Sequence, residues 1–432
     1  MSTMLKRDFE KKFDLVVVGG GQAGCGAALA AARGGLSVLL VEASGALGGA
    51  PNVNLVNPFM PWTTKVTEDG AERTLELSAG IFGEIYRDLC ADGIFCKPEE
   101  RHHFSEESLK VILDRKMREA GVTVLFHATL CDVETSDRRI ESISVATVGG
   151  ILRFRCGAAI DATGDATLSA FAGVPFQLGR EADSLCQPMT LCFRICNIDV
   201  EGAWKSWNAI QALYKKSQAE GKITNPRENV LVFPTRLPGV MHFNTTRVVK
   251  HDPTDPFSVS KAEATAREQV VELFHLLKDN IPAFKDAALM EMAPSIGVRE
   301  SRMVKARHVL TQEELVAGTH FPDGIAAGNY DIDIHSPDGS GTSHYYFPAG
   351  VYYTIPFRSL LPENFDNLLV AGRCIGATHE AQASIRIMPI CICTGEAAGT
   401  AAALAKEGGV EPADVDVATL RARLVENGAF VG

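Results

Sequence analysis

The 432-residue chain is 46% hydrophobic and 22% charged, long enough to bury a large core and to divide into two or three domains. Its 53 acidic against 42 basic residues give a net charge of -11, which repels phosphate backbones and argues against a nucleic-acid partner. No run reaches the roughly 18 apolar residues that cross a bilayer, and residues 1–12 are polar without an apolar signal core, so no membrane insertion and a cytoplasmic location are expected.

The first element is a strand, Leu15 to Val18, apolar throughout as a strand buried on both faces should be. Gly19-x-Gly21-x-x-Gly24 follows and opens an Ala-rich helix that ends near Gly34 and Gly35, with Gln22 and Ala23 inside the turn. Gly19 allows the tight turn, Gly21 lets backbone N–H groups approach a pyrophosphate, and Gly24 lets helix and strand pack closely. A second strand, Ser37 to Val41, ends in Glu42, where a carboxylate accepts hydrogen bonds from an adenosine ribose. Strand, glycines, helix, strand and terminal acid together specify a dinucleotide-binding βαβ unit. A second glycine-rich turn, Ala43 to Gly49, contains Gly48 and Gly49.

Residues 75–120 read as mainly helical, with Leu109, Ile112, Leu113 and Met117 on one stripe, and Ser105 caps a helix that begins with Glu106 and Glu107. Val122 to Phe126 returns a parallel strand. Residues 128–156 alternate and turn at Asp137-Arg138 and Gly149-Gly150, a β-meander inserted before a strand from Ala158 that ends in Ala162-Thr163-Gly164-Asp165. From residue 175 to 356 the pattern changes. Strands near 186–198 and 229–249, helices near 200–220, 260–279 and 311–317, and a Gly/Pro/Ser-rich loop at 335–350 suggest a separate α+β substrate or cap domain. The first domain, 10–174, then resumes over 357–432 with the strand Leu368 to Ala371, Gly372-Arg373, and a helix beginning near Met388 and Pro389.

These segments resemble the two-dinucleotide-binding-domain flavoproteins, in which FAD runs past a second glycine-rich turn and an Ala-Thr-Gly motif lies beneath the nucleotide. Many of them carry an Asp after the glycine that corresponds to Gly372; here it is Arg373. Gly297 to Arg302, Asp331 to His335, Ile355 to Pro362, Ala371 to Ile375, Thr378 to Gln382 and Gly395 to Gly399 are similar to the bacterial FAD-dependent oxidoreductase family, over roughly residues 14–405. The resemblance implies an α/β fold: an FAD-binding Rossmann-like domain of three-layer ββα architecture, with FAD held by the residues named above. A helix starting at Met388-Pro389 would point its positive end at the flavin. No second Gly-x-Gly-x-x-Gly unit and no redox cysteine pair is legible, so electrons are expected to pass to or from oxygen, a quinone or a redox protein.

His335, Arg358, His379 and Arg386 are the candidates for substrate chemistry, because each lies in a block that returns toward the flavin. A histidine takes a hydroxyl or amine proton, and an arginine holds a carboxylate or an oxyanion. Arg299, Glu300 and Arg302 fit either the site or an ion-pair cluster joining domains. Tyr352 and Tyr353 face opposite sides of a strand, so at most one reaches the flavin. The 11 cysteines are odd in number and lack Cys-x-x-Cys, which fits reduced thiols. Cys192 with Cys196 reads as a buried structural pair, and neither Cys391 and Cys393 nor His102 and His103 supply metal-ligand spacing. The expected function is oxidation of a CH–OH, CH–NH or CH–CH bond of a small organic substrate by hydride transfer to flavin, in a chain that can form a homo-oligomer. Reduction of an activated alkene, as in fumarate-reductase-like flavoproteins, and a role as the electron-transfer subunit of a complex stand as alternatives.

Overall fold

The computed structural model describes residues 6–8, 12–68, 70–91 and 103–432. Five parallel strands form the framework, in the order Thr123–Leu125, Val38–Val41, Phe13–Val18, Gly150–Asp161 and Leu368–Val370. Val38–Val41 and Leu368–Val370 are buried at every residue, which explains their uninterrupted apolar sequence. Gly150–Asp161 joins two architectures. Its first half pairs antiparallel with Arg139–Thr147, and its second half pairs parallel with Phe13–Val18. The last strand of the meander and the Ala158 strand, read from sequence as separate, are therefore one continuous strand.

Helix Gln22–Arg33 follows the first strand and crosses helix Met388–Gly408 with the two backbones almost touching. A Cβ at Gly26 would collide with Ile392 O, one at Gly395 with Ala23 O and one at Gly399 with Ala27 O. This crossing sets the N-termini of both helices at the carboxyl ends of the parallel strands, where α/β sheets bind ligands. Met388–Gly408 has the length and apolarity of a membrane span, but residues 388–405 are all buried in the core.

A second core belongs to a four-stranded antiparallel sheet ordered Val232–Pro234, Met241–Phe243, Phe193–Cys196 and Ala288–Met292. Helices Val200–Lys205, Trp207–Ala219 and Pro256–Asn280 accompany it, and Phe193 stacks on Phe243 at 4.9 Å. This core draws on residues 189–296 and on Leu55, while Val304, Leu310, Ile325 and Ile355 pack in the first core. The second core is thus shorter than the 175–356 span drawn from sequence. Two further antiparallel pairs are present: Thr63–Glu68 with Ala71–Glu76, in a stretch with no element assigned from sequence, and Ile332–His335 with Thr342–Tyr345, the second strand of which lies in the expected 335–350 loop.

Candidate active site

The cofactor segments meet at the carboxyl edge of the parallel sheet. Gly19 has φ +100°, and a Cβ there would lie 2.5 Å from Ala162 O, so the turn and the Ala-Thr-Gly segment are in direct contact. Gly48 N donates to Gly20 O at 2.8 Å, and Gln22 Nε2 donates to Gly48 O at 3.1 Å, lacing the two glycine-rich turns together. Gln22 therefore bridges the turns with its side chain. Glu42 accepts from Gly20 N and from Ser44 N, both at 2.7 Å, and so orders the loop as well as presenting a carboxylate. Gly49 has φ +64° and backs onto Gly21, and Gly24 closes the turn against Gly19. Ala23 packs beside Gly372 and Gly395 at the helix crossing.

Thr163 is fixed by Asp161, whose Oδ1 accepts from its hydroxyl at 2.7 Å, and the Thr163 hydroxyl in turn accepts from Thr167 N at 2.8 Å. Arg373 is the departure from the flavoprotein pattern. Its guanidinium donates to Gly164 O at 2.8 Å, to Val298 O at 2.6 Å and to the Asp165 carboxylate, which also accepts from Ser301 Oγ at 2.6 Å. Arg373 and Asp165 thus tie the sheet edge to the second unit, and the guanidinium is already engaged by protein groups.

Two features fit a dinucleotide. Gly21 has φ -69°, and a Cβ there would meet nothing closer than Gly49 Cα at 4.0 Å. Neither conformation nor packing within the chain requires a glycine, which leaves the approach of a ligand as the reason for it. The helices that start at Gln22 and Met388 also have no side-chain cap and no acidic residue in the first turn. The helices that start at Ala50, Thr167 and Trp207 share this, whereas those that start at Glu106, Gln312, His379 and Val417 are capped by Ser105, Thr311, Thr378 and Asp416. The uncapped N–H groups suit pyrophosphate at Gln22 and the electron-rich edge of a flavin at Met388-Pro389.

Three of the four substrate candidates are joined in one polar network. Gln187 Oε1 accepts from His335 N at 3.3 Å, Gln187 N donates to Glu300 Oε2 at 2.8 Å, and Glu300 Oε1 binds His379 Nδ1 at 2.7 Å. Glu300 is fully buried. His379, the first residue of its helix, has its Nδ1 committed to Glu300, which leaves Nε2 as the proton acceptor. Its ring lines an open cleft of about 460 Å³ with Arg180, Ser336, Thr342 and Glu380.

His335 differs from the sequence expectation. Arg247 Nη2 donates to its Nδ1 at 2.8 Å, and its Nε2 lies 3.3 Å from Asp333 Oδ2. Burial, then Arg299, push its pKa down to about 3, so it is a neutral linker with its basic nitrogen occupied. Asp333 is held below the usual carboxylate range: burial opposes this, but His335, Arg386 and Arg299 outweigh it. Arg386 donates to Asp333 O at 3.4 Å, so it belongs to this network. Arg358 does not. It pairs with Asp323 at 2.9 Å with about half its side chain in solvent (47%) and has no hydrogen bond to the other three candidates.

Tyr353 is fully buried and shares a 2.6 Å hydrogen bond with Ser384, while Tyr352 packs outward against His320 and Phe430. Arg299 donates to Pro188 O and Thr190 Oγ1, and Arg302 to Asp165 O, so this stretch joins segments by separate bonds and makes no mutual ion pair. Cys192 is buried and Cys196 partly so, both as free thiols; Cys391 and Cys393 are buried, and burial pushes each up to about 12. No metal-ligand cluster occurs among the described residues, and His102 lies outside them. Gln187, Arg227 and Arg247, absent from the sequence candidates, carry no spacing signal; Asp333 lies in the family-like segment Asp331 to His335, two residues before His335.

The sheet order, the laced glycine turns, Glu42 and the helix ends at Gln22 and Met388 define a flavoprotein of the dinucleotide-binding class. A family described as FAD dependent oxidoreductase matches residues 14–424, and the chain belongs to that family. FAD is its cofactor and it is an enzyme. No curated protein matches the sequence. Among solved structures, the chain is similar to p-nitrophenol 4-monooxygenase PnpA from Pseudomonas putida DLL-E4, at 12% identity and a TM-score of 0.46, over 97% of this chain and 85% of that one. It is similar also to a geranylgeranyl bacteriochlorophyll reductase-like protein from Thermoplasma acidophilum, at 12% identity and a TM-score of 0.44, over 97% and 84% of the two chains.

Proposed function

We propose that the protein oxidises a CH–OH, CH–NH or CH–CH bond of a small organic molecule. FAD, when bound, supplies a hydride acceptor at N5. The chain supplies the rest. The Gln22 helix N-terminus and Glu42 hold the nucleotide half, and the uncapped end of the Met388–Gly408 helix offers positive potential for charge that develops on the ring. His379 Nε2 removes the substrate proton, and the Glu300 carboxylate steadies the imidazolium that results.

The observation that carries this reading is the His379–Glu300 pair: a base fixed by a fully buried carboxylate at the edge of an open cleft. Electrons then pass on to oxygen, a quinone or a redox protein. The test is anaerobic bleaching of the bound flavin by a panel of alcohols, amines and acids. Bleaching by a member of the panel alone is expected; bleaching only when a redox protein or reduced nicotinamide is supplied would contradict the reading.

A further inference from the structure

Four guanidinium groups gather around Asp333. Arg227 and Arg247 are 4% and 1% exposed, and Arg386 keeps about 15% of its side chain in solvent. Arg299 lies close enough to be affected by the other three: burial first, then Arg386 and Arg227, with a smaller part from Arg247, push its pKa down to about 9. Two carboxylates answer these four cations, Asp333 and Glu228, the latter 3.1 Å from Arg247 Nη1. An excess of covered positive charge is costly unless something neutralises it.

The hydrogen-bond inventory gives the complement more detail. Arg247 is satisfied by Gly341 O, Thr342 and His335. Arg227 Nη1 and Arg386 Nε are buried and have no hydrogen-bond partner among the described residues. Asp333 Oδ1, an acceptor, is also without a hydrogen bond among the described residues, with His344 Nε2 3.7 Å away. Two free donors on cations and one free acceptor on a carboxylate match an anion that also carries a hydrogen to donate.

We propose that this cluster binds an organic acid bearing a hydroxyl or amino hydrogen, its carboxylate taken by Arg227 and Arg386 and its O–H or N–H donated to Asp333 Oδ1. The inference rests on the flavin-linked reading and names the class of its substrate. Asp333 contacts His335, which Gln187 links to Glu300 and His379, so one continuous polar network joins this cluster to the base. Arg386 directly precedes the Ile387 start of the Met388–Gly408 helix, on the side where the flavin ring is expected.

The test titrates the FAD-loaded protein with malate, succinate, malamide and inorganic phosphate, reading both the flavin difference spectrum and the melting temperature. Malate is expected to bind, succinate more weakly because it has no O–H for Asp333, and malamide not at all. R227Q and R386Q should each weaken malate by at least about tenfold, the scale of one lost charge-assisted hydrogen bond, and R386K should recover part of the loss. Malamide binding as well as malate, phosphate binding where malate does not, or folded, flavin-loaded variants that bind malate like the wild type would each overturn the proposal. If the variants do not fold, the comparison of malate with malamide on the wild type decides it. Carboxylate binding with no bleaching by any panel member would sink the oxidation reading and leave this one standing. Bleaching by a neutral alcohol without carboxylate binding would do the reverse.

Discussion

Gly19 and Gly21 stand two residues apart and are glycine for different reasons, which their substitution separates. A Cβ at Gly19 meets Ala162 O at 2.5 Å with φ at +100°, so Gly19→Ala should destabilise the protein by roughly 1–3 kcal/mol with or without FAD. Gly21→Val has room within the chain, so the apoprotein should melt as the wild type does while the purified protein loses its flavin absorbance. Stoichiometric FAD in the valine variant would show that the turn does not hold the pyrophosphate. The histidines divide similarly. His379→Asn should leave the flavin spectrum intact and slow substrate-linked reduction by about 10² to 10⁴, the usual size of a general-base contribution. His335→Asn keeps an acceptor for Arg247 and should have a smaller effect, and equal losses in anaerobic stopped-flow would refute this division of roles. Gly21 and Glu42 were legible because their roles follow from spacing along a single βαβ unit. Arg247 was not, because its contact with His335 spans 88 residues and two cores.

The crossing of helices Gln22–Arg33 and Met388–Gly408 encloses an ionisable group that has no part in the chemistry. Glu396 is 2% exposed, accepts from Ile81 N at 3.0 Å, and has its pKa raised by burial to about 7. In the unfolded chain it ionises near its ordinary value, about 4.5, and in the folded protein only near 7. Below 4.5 both states hold the proton and there is no penalty. As pH rises through the window the unfolded state alone releases it, and folding loses up to about 3 kcal/mol by pH 8. Glu396→Gln keeps an acceptor for Ile81 and should raise the melting temperature at pH 8 but not at pH 4; a gain of equal size at both values would show that the penalty is not ionic. Both helices were readable from glycine placement and Ala-rich runs. The Thr63–Glu68 and Ala71–Glu76 hairpin was not, because it is largely exposed, shows no apolar alternation, and carries the cross-strand ion pairs Lys65–Glu72 and Arg73–Glu68.

Across the whole molecule, the two cores meet along a polar seam. Asn54 donates to Ser295 O and Ile296 O at 3.0 Å, and Arg373 reaches Val298. The parallel sheet could be read from its apolar strands, whereas the extent of the second core could not, because residues after 302 return to the first core through short strands with little pattern of their own. Acid should loosen the assembly. Burial, aided by Arg194, pushes His242 down to about 3, and neither of its ring nitrogens has a partner among the described residues, while His335 is depressed as far. Both take up a proton near pH 6.5 when unfolded and resist it when folded, so their contribution is constant above that value and is lost as pH falls toward 3. Each histidine costs about 1.4 kcal/mol per pH unit inside the window. Melting temperature should therefore drop between pH 6.5 and 5, and His242→Phe should flatten the drop; an unchanged slope would contradict the assignment.

The central claim is that a substrate C–H bond breaks as the flavin is reduced, with His379 as the base. Anaerobic stopped-flow mixing with the substrate found by bleaching, protiated or deuterated at the reacting carbon, measures this most directly. The account predicts that deuterium slows bleaching severalfold in the wild type and that the isotope effect persists in His379→Asn at a much lower rate. Bleaching that is indifferent to deuterium in both proteins, and equally fast in both, would contradict it.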